Sequence, residues 1–90
     1  MFTGIIRELG TVVSVKRSNG IAHLIVSAPK TAARVERLES IAVNGVCLSV
    51  VDVNHTALTF EMIRETQGLT TLASLRPGQR VHIEPSLTLS

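Results

Sequence analysis

The chain has 90 residues, of which 44% are hydrophobic and 18% are charged, and its formal net charge at pH 7 is +2. It is too apolar to be disordered, and its apolar runs are too short to span a bilayer. Its scattered cations and two phenylalanines offer no base-stacking platform for nucleic acid, and its single cysteine excludes an internal disulfide. Because the N-terminus does not resemble a secretory signal, we expect one cytoplasmic domain over residues 1–90 with no metal site.

Short strand-like segments separated by turn signals fill the chain, a pattern typical of an all-β sandwich or barrel. The first segment, residues 2–16, places one set of side chains on a common face: Leu9, Thr11, Val13 and Val15. A turn at residues 18–20 follows, and the inward set continues with Ala22, Leu24 and Val26. Pro29 then opens a helix predicted over residues 30–38, with Thr31, Val35 and Leu38 on its apolar face, and we expect this helix to close one end of the barrel.

The central segment joins a tight turn to a strand that carries the only cysteine. Asn44-Gly45 is the strongest short signal for a type I′ turn, because both central residues need a positive φ. Cys47 and Ser49 lie two residues apart, so an extended strand places them on one face, opposite Val46, Leu48 and Val50. Later in the strand the apolar set changes phase to Val51 and Val53, which predicts a β-bulge near Val50.

Two further strands complete the pattern. After a turn at residues 52–56, Leu58, Phe60 and Met62 alternate with Thr59, Glu61 and Ile63. The run at residues 76–79 has proline second and glycine third, which predicts a type II turn before a last strand that begins with Val81 and Ile83. Six short antiparallel strands are expected to close into a barrel, because closure leaves no bare edges. Side chains fill so small a barrel, so a ligand is expected at a rim or in a shallow surface cleft.

The residues alone leave the role of this face open. A lone cysteine between valine and leucine is commonly a small buried hydrophobe, and Ser49 alone could be a solvated strand hydroxyl. His23, His55 and His82 are widely spaced and read as surface histidines without an assigned role.

Three blocks of sequence resemble the N-terminal half of riboflavin synthase, the lumazine-binding domain. The first is Met-Phe-Thr-Gly-Ile-Ile at residues 1–6, and the second is Ser-Ile-Ala-Val-Asn-Gly-Val-Cys-Leu-Ser-Val at residues 40–50. The third, looser block runs from Glu65-Thr66 to Val81. Ser49 stands where the family usually has threonine, which keeps the hydroxyl and loses a methyl group. The blocks occur in the family's order over almost the whole chain.

The resemblance implies a six-stranded antiparallel Greek-key β-barrel with one short helix. It also implies a transferase reaction in which a four-carbon unit passes between two molecules of 6,7-dimethyl-8-ribityllumazine to give riboflavin, with no metal or redox cofactor. The family enzyme forms each site between the N-terminal barrel of one subunit and the C-terminal barrel of another. A single barrel is therefore expected to be weak or silent in catalysis, unless a homodimer or homotrimer supplies the missing half.

The resemblance also implies which residues form the site. Cys47 would be the nucleophile or proton-transfer group, and Phe2 and Thr3 would complete the catalytic set. The residues implied in substrate binding are Gly4, Ile5, Ile6, Ser40, Cys47, Leu48, Ser49, Glu61, Met62, Ile63, Arg64, Glu65 and Thr66. Ser40 would reach the ribityl chain, and the backbone of residues 61–66 would bind the pyrimidinedione. The alternatives are a protein that binds lumazine or riboflavin without turnover, and a structural barrel without a ligand.

Overall fold

The computed structural model describes residues 8–63 and 71–85, which form six strands, one α-helix and one 3₁₀ helix. In chain order these are β1 Glu8–Ser18, β2 Ile21–Ser27, α1 Pro29–Ala32, β3 Ser40–Val43, β4 Val46–Val53, β5 Ala57–Met62, a 3₁₀ helix at Thr71–Ser74 and β6 Arg80–Pro85. The strands close into a barrel in the order β1, β2, β5, β4, β3, β6, and every neighbouring pair is antiparallel. The predicted six-stranded barrel with one short helix is confirmed. No helix of the described ranges is long and apolar enough to cross a membrane.

The order of the strands is that of a Greek key. Tight connections join β3, β4 and β5, and this meander returns so that β5 pairs with β2. The chain therefore passes from β2 through α1 to the far side of the barrel before it forms β3. This path brings β2 beside β5, although about thirty residues separate the two strands in the chain.

Inward side chains fill the barrel. The fully buried residues include Ala22, Leu24 and Val26 of β2, Leu58, Phe60 and Met62 of β5, and Val81 and Ile83 of β6. These are the sets that the alternation of apolar residues predicts for the three strands. The ligand site is therefore to be sought on the outer surface, because the core occupies the interior.

The predicted apolar face of β1 is only partly correct. Leu9 and Val13 are exposed, whereas Gly10 and Val12 are buried. The pairing of β1 with β2 shifts register between Val12 and Ser14, so a bulge reverses which side chains point inward. Val15, beyond the bulge, packs against the core as predicted.

The helix is shorter than predicted. It ends at Ala32 instead of residue 38, although Thr31 and Val35 are buried as expected. Leu38 is 72% exposed and has a φ of 72°, which no right-handed helix allows. Its backbone N–H donates to the carbonyl of Val50 over 2.7 Å, so hydrogen bonds to β4 replace a second helical turn.

A carboxylate from β1 anchors the start of α1. The Glu8 side chain accepts hydrogen bonds from the backbone N–H groups of Lys30 at 3.2 Å and Thr31 at 2.8 Å. The helix has no capping side chain of its own at Ala28. Glu8 therefore satisfies backbone donors that a capping residue would otherwise serve. The helix adds Ala32 to the core and contacts β5. Its closure of one end of the barrel stays a prediction.

Two turns carry the positive φ values that their sequences predict. Asn44 and Gly45 have φ values of 49° and 83°, as a type I′ turn requires. Gly78 has a φ of 93°, and the Gln79 N–H donates to the Arg76 carbonyl at 3.1 Å, as a type II turn with glycine third requires. The first of these turns fixes the register of β3 against β4.

Candidate functional site

The hairpin of β3 and β4 presents the thiol and the hydroxyl on one outer face. Cys47 and Ser49 are exposed, whereas Leu48 and Val50 are buried in the core. This arrangement confirms the predicted alternation and shows that Cys47 is not a buried hydrophobe. Ser49 lies directly opposite Ser40 of β3, and such cross-strand neighbours have Cβ atoms about 5 Å apart. The hairpin therefore displays two adjacent hydroxyl groups and one thiol.

The ladder between β4 and β5 ends beside this face. Its pairs run from Val53 with Leu58 to Val50 with Phe60, with a register shift between Val50 and Asp52. This shift confirms the predicted bulge near Val50. Both strands continue beyond the last pair, but there the described residues of β4 pair only with β3 and those of β5 only with β2. Beyond Val50 and Phe60, the described residues of β4 and β5 therefore form no pairs with each other.

The residues just beyond that last pair, at the end of β5 and directly after it, alternate between core and surface. Glu61 is exposed, Met62 is fully buried, and Ile63 is 53% exposed. Glu61 and Ile63 thus point to the outer surface, as Ser49 and Cys47 do on the neighbouring strand β4. An apolar side chain and a carboxylate join the hydroxyl groups and the thiol at this position.

One histidine, to which the sequence assigned no role, borders the same face. His23 of β2 is the direct partner of Glu61, and its Nε2 atom lies 3.3 Å from Glu61 Oε2. A carboxylate can only accept, so the imidazole Nε2 carries the proton of this hydrogen bond. The pairing depends on β2 lying beside β5, which local sequence patterns do not reveal. The alternation of β2 alone would have placed His23 on the outer surface.

The predicted site residues fall into three groups. Ser40, Cys47 and Ser49 lie on the outer face of the β3–β4 hairpin, and Glu61 and Ile63 are exposed at the end of β5, the strand next to β4. Leu48 and Met62 point into the core, so only their backbone groups can meet a ligand on this face. The remaining predicted residues lie outside the described ranges: Phe2, Thr3, Gly4, Ile5, Ile6, Arg64, Glu65 and Thr66.

This face combines an exposed apolar side chain with polar groups. Apolar contact from Ile63 and hydrogen bonds from strand edges are what a flat heterocycle with polar edges requires. Within residues 8–63 and 71–85, no three His, Cys, Asp or Glu side chains are grouped as metal ligands. The exposed thiol of Cys47 can meet a bound molecule directly.

Comparisons with known proteins show which proteins this chain resembles. The chain is 38% identical over 87 residues to riboflavin synthase of Bacillus subtilis, and the match covers 97% of this chain and 40% of that protein. It is 41% identical over 90 residues to riboflavin synthase of Mycobacterium bovis, with 99% and 45% covered. The chain thus spans less than half the length of these relatives.

A solved structure has the same fold. The crystal structure of LumP complexed with 6,7-dimethyl-8-(1'-D-ribityl) lumazine superimposes with a TM-score of 0.86 at 25% identity, over 100% of this chain and 50% of that one. The sequence model of the lumazine binding domain matches residues 3–86, which is nearly the whole chain. This protein therefore belongs to the lumazine binding domain family.

Proposed function

We propose that this barrel binds 6,7-dimethyl-8-ribityllumazine and riboflavin, as the N-terminal lumazine-binding half of a riboflavin synthase. The observation that carries the proposal is the end of the β4–β5 ladder at Val50 and Phe60, flanked by Cys47 and Ser49 on one side and by Glu61 and Ile63 on the other. Backbone groups of the strand ends beyond this ladder, together with exposed polar side chains, can offer hydrogen-bond donors and acceptors to the imide and carbonyl groups of a pteridine. Relatives named riboflavin synthase, and a neighbour solved with a ribityl lumazine, support the same ligand class.

The proposed orientation is the one that the family resemblance implies. The pyrimidinedione is proposed to lie along residues 61–66, so that backbone N–H groups can donate hydrogen bonds to its carbonyl oxygens. Cys47 and Ser49 line the ring, and Ser40 contacts the ribityl chain beside Ser49, its cross-strand partner. Phe2, Thr3 and residues 4–6 are proposed to cover the neighbouring ring.

The proposed reaction is the transfer of four carbon atoms between two lumazine molecules. One molecule gains the four carbon atoms and becomes riboflavin, and the other loses them and becomes a ribitylamino-pyrimidinedione. The reaction therefore balances without an added oxidant, reductant, metal or cofactor. The protein's task is to hold two rings face to face, and such orientation can contribute several kcal/mol to a bimolecular step. Cys47 is proposed as the nucleophile or proton-transfer group, acting with Phe2 and Thr3.

Turnover needs a second ring site, and we propose that one barrel alone is weakly active or silent. A homodimer or homotrimer of identical barrels would bring two sites together. The second candidate function is binding of the lumazine or riboflavin without turnover, and the similar structure of LumP, solved with a ribityl lumazine, supports binding of this ligand class. The cytoplasm remains the predicted compartment.

A fluorescence titration with riboflavin and with the lumazine tests the proposal. Ser49→Ala removes one hydroxyl from the site and is expected to weaken riboflavin binding about fivefold, which is the effect of one neutral hydrogen bond. Ser18→Ala is the matched control, because Ser18 is an exposed strand serine at the end of β1, away from this hairpin. Formation of riboflavin from the lumazine separates an enzyme from a binding protein. A wild-type protein that leaves both spectra unchanged would contradict either function.

A further inference from the structure

The bulge in β4 lies where the β4–β5 ladder ends. Val50 pairs with Phe60 and Asp52 pairs with Thr59, so Val51 is an extra residue that has no partner in this ladder. A bulge bends its strand and increases the local twist, and bulges commonly terminate pairing or redirect a side chain. The bend at Val51 therefore accounts for the end of pairing at Val50, on which the proposed site depends.

A second bulge contacts β4 at the same point from the β3 side. The Leu38 N–H donates to the Val50 carbonyl at 2.7 Å, and the Val50 N–H donates to the Glu39 carbonyl at 3.0 Å. Two residues thus oppose one residue of β4, and Leu38 has the left-handed φ, 72°, of the first residue of a G1 bulge. The Glu39 N–H also donates to the Glu36 carbonyl at 3.3 Å, which closes a tight turn. We call residues 36–39 the bulge turn.

The bulge turn carries one side chain that reaches the extra residue of β4. The exposed Arg37 donates from Nε to the Val51 carbonyl at 3.0 Å. A backbone carbonyl displaced from a ladder needs another donor, and a hydrogen bond from a charged donor is stronger than one from a neutral donor. The bulged segment is therefore tied to the bulge turn twice, at Val50 through backbone groups and at Val51 through the guanidinium.

The bulge turn holds this arrangement against backbone strain. Leucine is strained at a φ of 72°, and the Leu38 side chain is largely exposed, so core packing does not offset the strain. Such strain persists where surrounding contacts determine the conformation, and it is frequent beside functional sites. The hydrogen bonds to Val50 and Val51 supply such contacts, which marks the bulge turn as a support for β4.

We infer that Arg37 is a positioning residue that holds the β4 bulge, and with it the direction in which Ser49 and Cys47 leave the β4–β5 ladder. Arg37 acts through the backbone of Val51 and lies outside the predicted site. Ser49 directly precedes Val50, so a change in the bulge displaces Ser49 first. This inference rests on the proposed function and adds to it a residue that shapes the site without belonging to it.

Riboflavin titrations of three variants test this role. Arg37→Ala removes the guanidinium and is expected to weaken riboflavin binding about threefold, because one exposed hydrogen bond from a charged donor is lost. Arg37→Lys keeps a charged donor on a long side chain and should restore most of the loss. Arg34→Ala is the matched control, because it removes the same charge from an exposed arginine of the same connection, and it should leave the affinity unchanged.

Two further measurements separate positioning from stability. Gly10→Ala strains β1, on the opposite side of the barrel, and leaves the β4 bulge intact, so the folded variant should bind riboflavin like the wild type. In the ligand-free ¹H–¹⁵N spectrum, Arg37→Ala should shift the amides of residues 49–52 and leave those of residues 22–26 in place.

Unchanged riboflavin affinity of Arg37→Ala would overturn the inference. Equal weakening by Arg34→Ala, or an Arg37→Lys variant as weak as Arg37→Ala, would do the same, because either result removes the specific hydrogen bond from the explanation. A wild-type protein that does not bind riboflavin would instead overturn the proposed function.

Discussion

Asn44 and His82 are joined by two hydrogen bonds, one of which uses the asparagine side chain. The Asn44 backbone N–H donates to the His82 carbonyl at 2.9 Å, and Asn44 Oδ1 accepts from the His82 backbone N–H at 2.8 Å. Together the two hydrogen bonds resemble the pair of hydrogen bonds between facing residues of antiparallel strands, with the side-chain oxygen in place of a backbone carbonyl. They lie at the turn where β3 ends. The residue that makes the β3–β4 turn also ties that hairpin to β6.

Asn44→Ala should lower the free energy of unfolding by about 1–2 kcal/mol, because it removes one hydrogen bond and places a Cβ-restricted residue at a φ of 49°. Asn44→Asp keeps the acceptor and tolerates this φ, so it should cost less than about 0.5 kcal/mol. Asn44→Gly loses the side-chain acceptor but adopts a positive φ without strain, so its loss of unfolding free energy should lie between those of the other two variants. Urea unfolding of the four proteins measures the series, and equal stability of the alanine and aspartate variants would contradict the assigned role.

Gly10 and Gly45 should respond to alanine for different reasons. A Cβ at Gly10 would lie 2.7 Å from Val26 Cγ1 and 3.0 Å from the Ser27 carbonyl oxygen, so Gly10→Ala should cost about 1–3 kcal/mol through overpacking. A Cβ at Gly45 would meet no atom within 4 Å, but φ is 83°, so Gly45→Ala should cost about 1 kcal/mol through backbone strain.

Double variants with Val26→Ala separate the two mechanisms. The space left by Val26→Ala should reduce the cost of Gly10→Ala and leave the cost of Gly45→Ala unchanged, as double-mutant cycles of unfolding free energy would show. Additive costs at Gly10 would contradict the close approach of β1 and β2.

Leu38 offers a stabilising substitution. It is the most exposed of the large apolar residues that the structure describes, and it has a φ of 72°. Leu38→Gly relieves about 1–2 kcal/mol of strain and loses about 0.5–1 kcal/mol of backbone entropy, so a net gain of about 0.5 kcal/mol is expected. Leu38→Ala keeps the strain and should give no gain. A thermal midpoint for Leu38→Gly at or below that of the alanine variant would refute this account.

Cys47 should report occupancy of the site. The thiol is exposed and is the only cysteine of the chain, so a colorimetric thiol reagent reads this position alone. Saturating riboflavin should slow the reaction severalfold, because a bound ring would cover the outer face of β4. Cys47→Ser should bind riboflavin and give no reaction. Equal rates with and without riboflavin, under conditions where riboflavin binds, would place the ligand elsewhere.

Local patterns predicted the parts of the fold that local physics determines. Alternation identified the buried faces of β2 and β5, and Asn44-Gly45 identified the turn that sets the register of β3 and β4. The same alternation predicted that Cys47 and Ser49 share the outer face of β4, which is the β4 part of the candidate site. The phase change of the valines located the bulge near Val50.

The missed features depend on contacts between distant segments. The bulge between Val12 and Ser14 has no marker in the sequence, because valine at Val13 suits either face. The helix ends early because the backbone near Leu38 bonds to Val50, and Val50 N–H donates in turn to the Glu39 carbonyl at 3.0 Å. The partnership of His23 with Glu61 follows from the Greek-key path, which local periodicity does not specify.

The central claim is that the ligand binds on the outer face of β3, β4 and β5, and amide chemical-shift mapping with riboflavin tests it most directly. The account predicts that the largest shifts in the ¹H–¹⁵N spectrum fall at Ser40, at residues 47–49 and at residues 61–63, and that β1 residues near Leu9 and Val13 stay unchanged. Shifts concentrated on the exposed face of β1 and β6, or no shifts at saturating riboflavin, would contradict it.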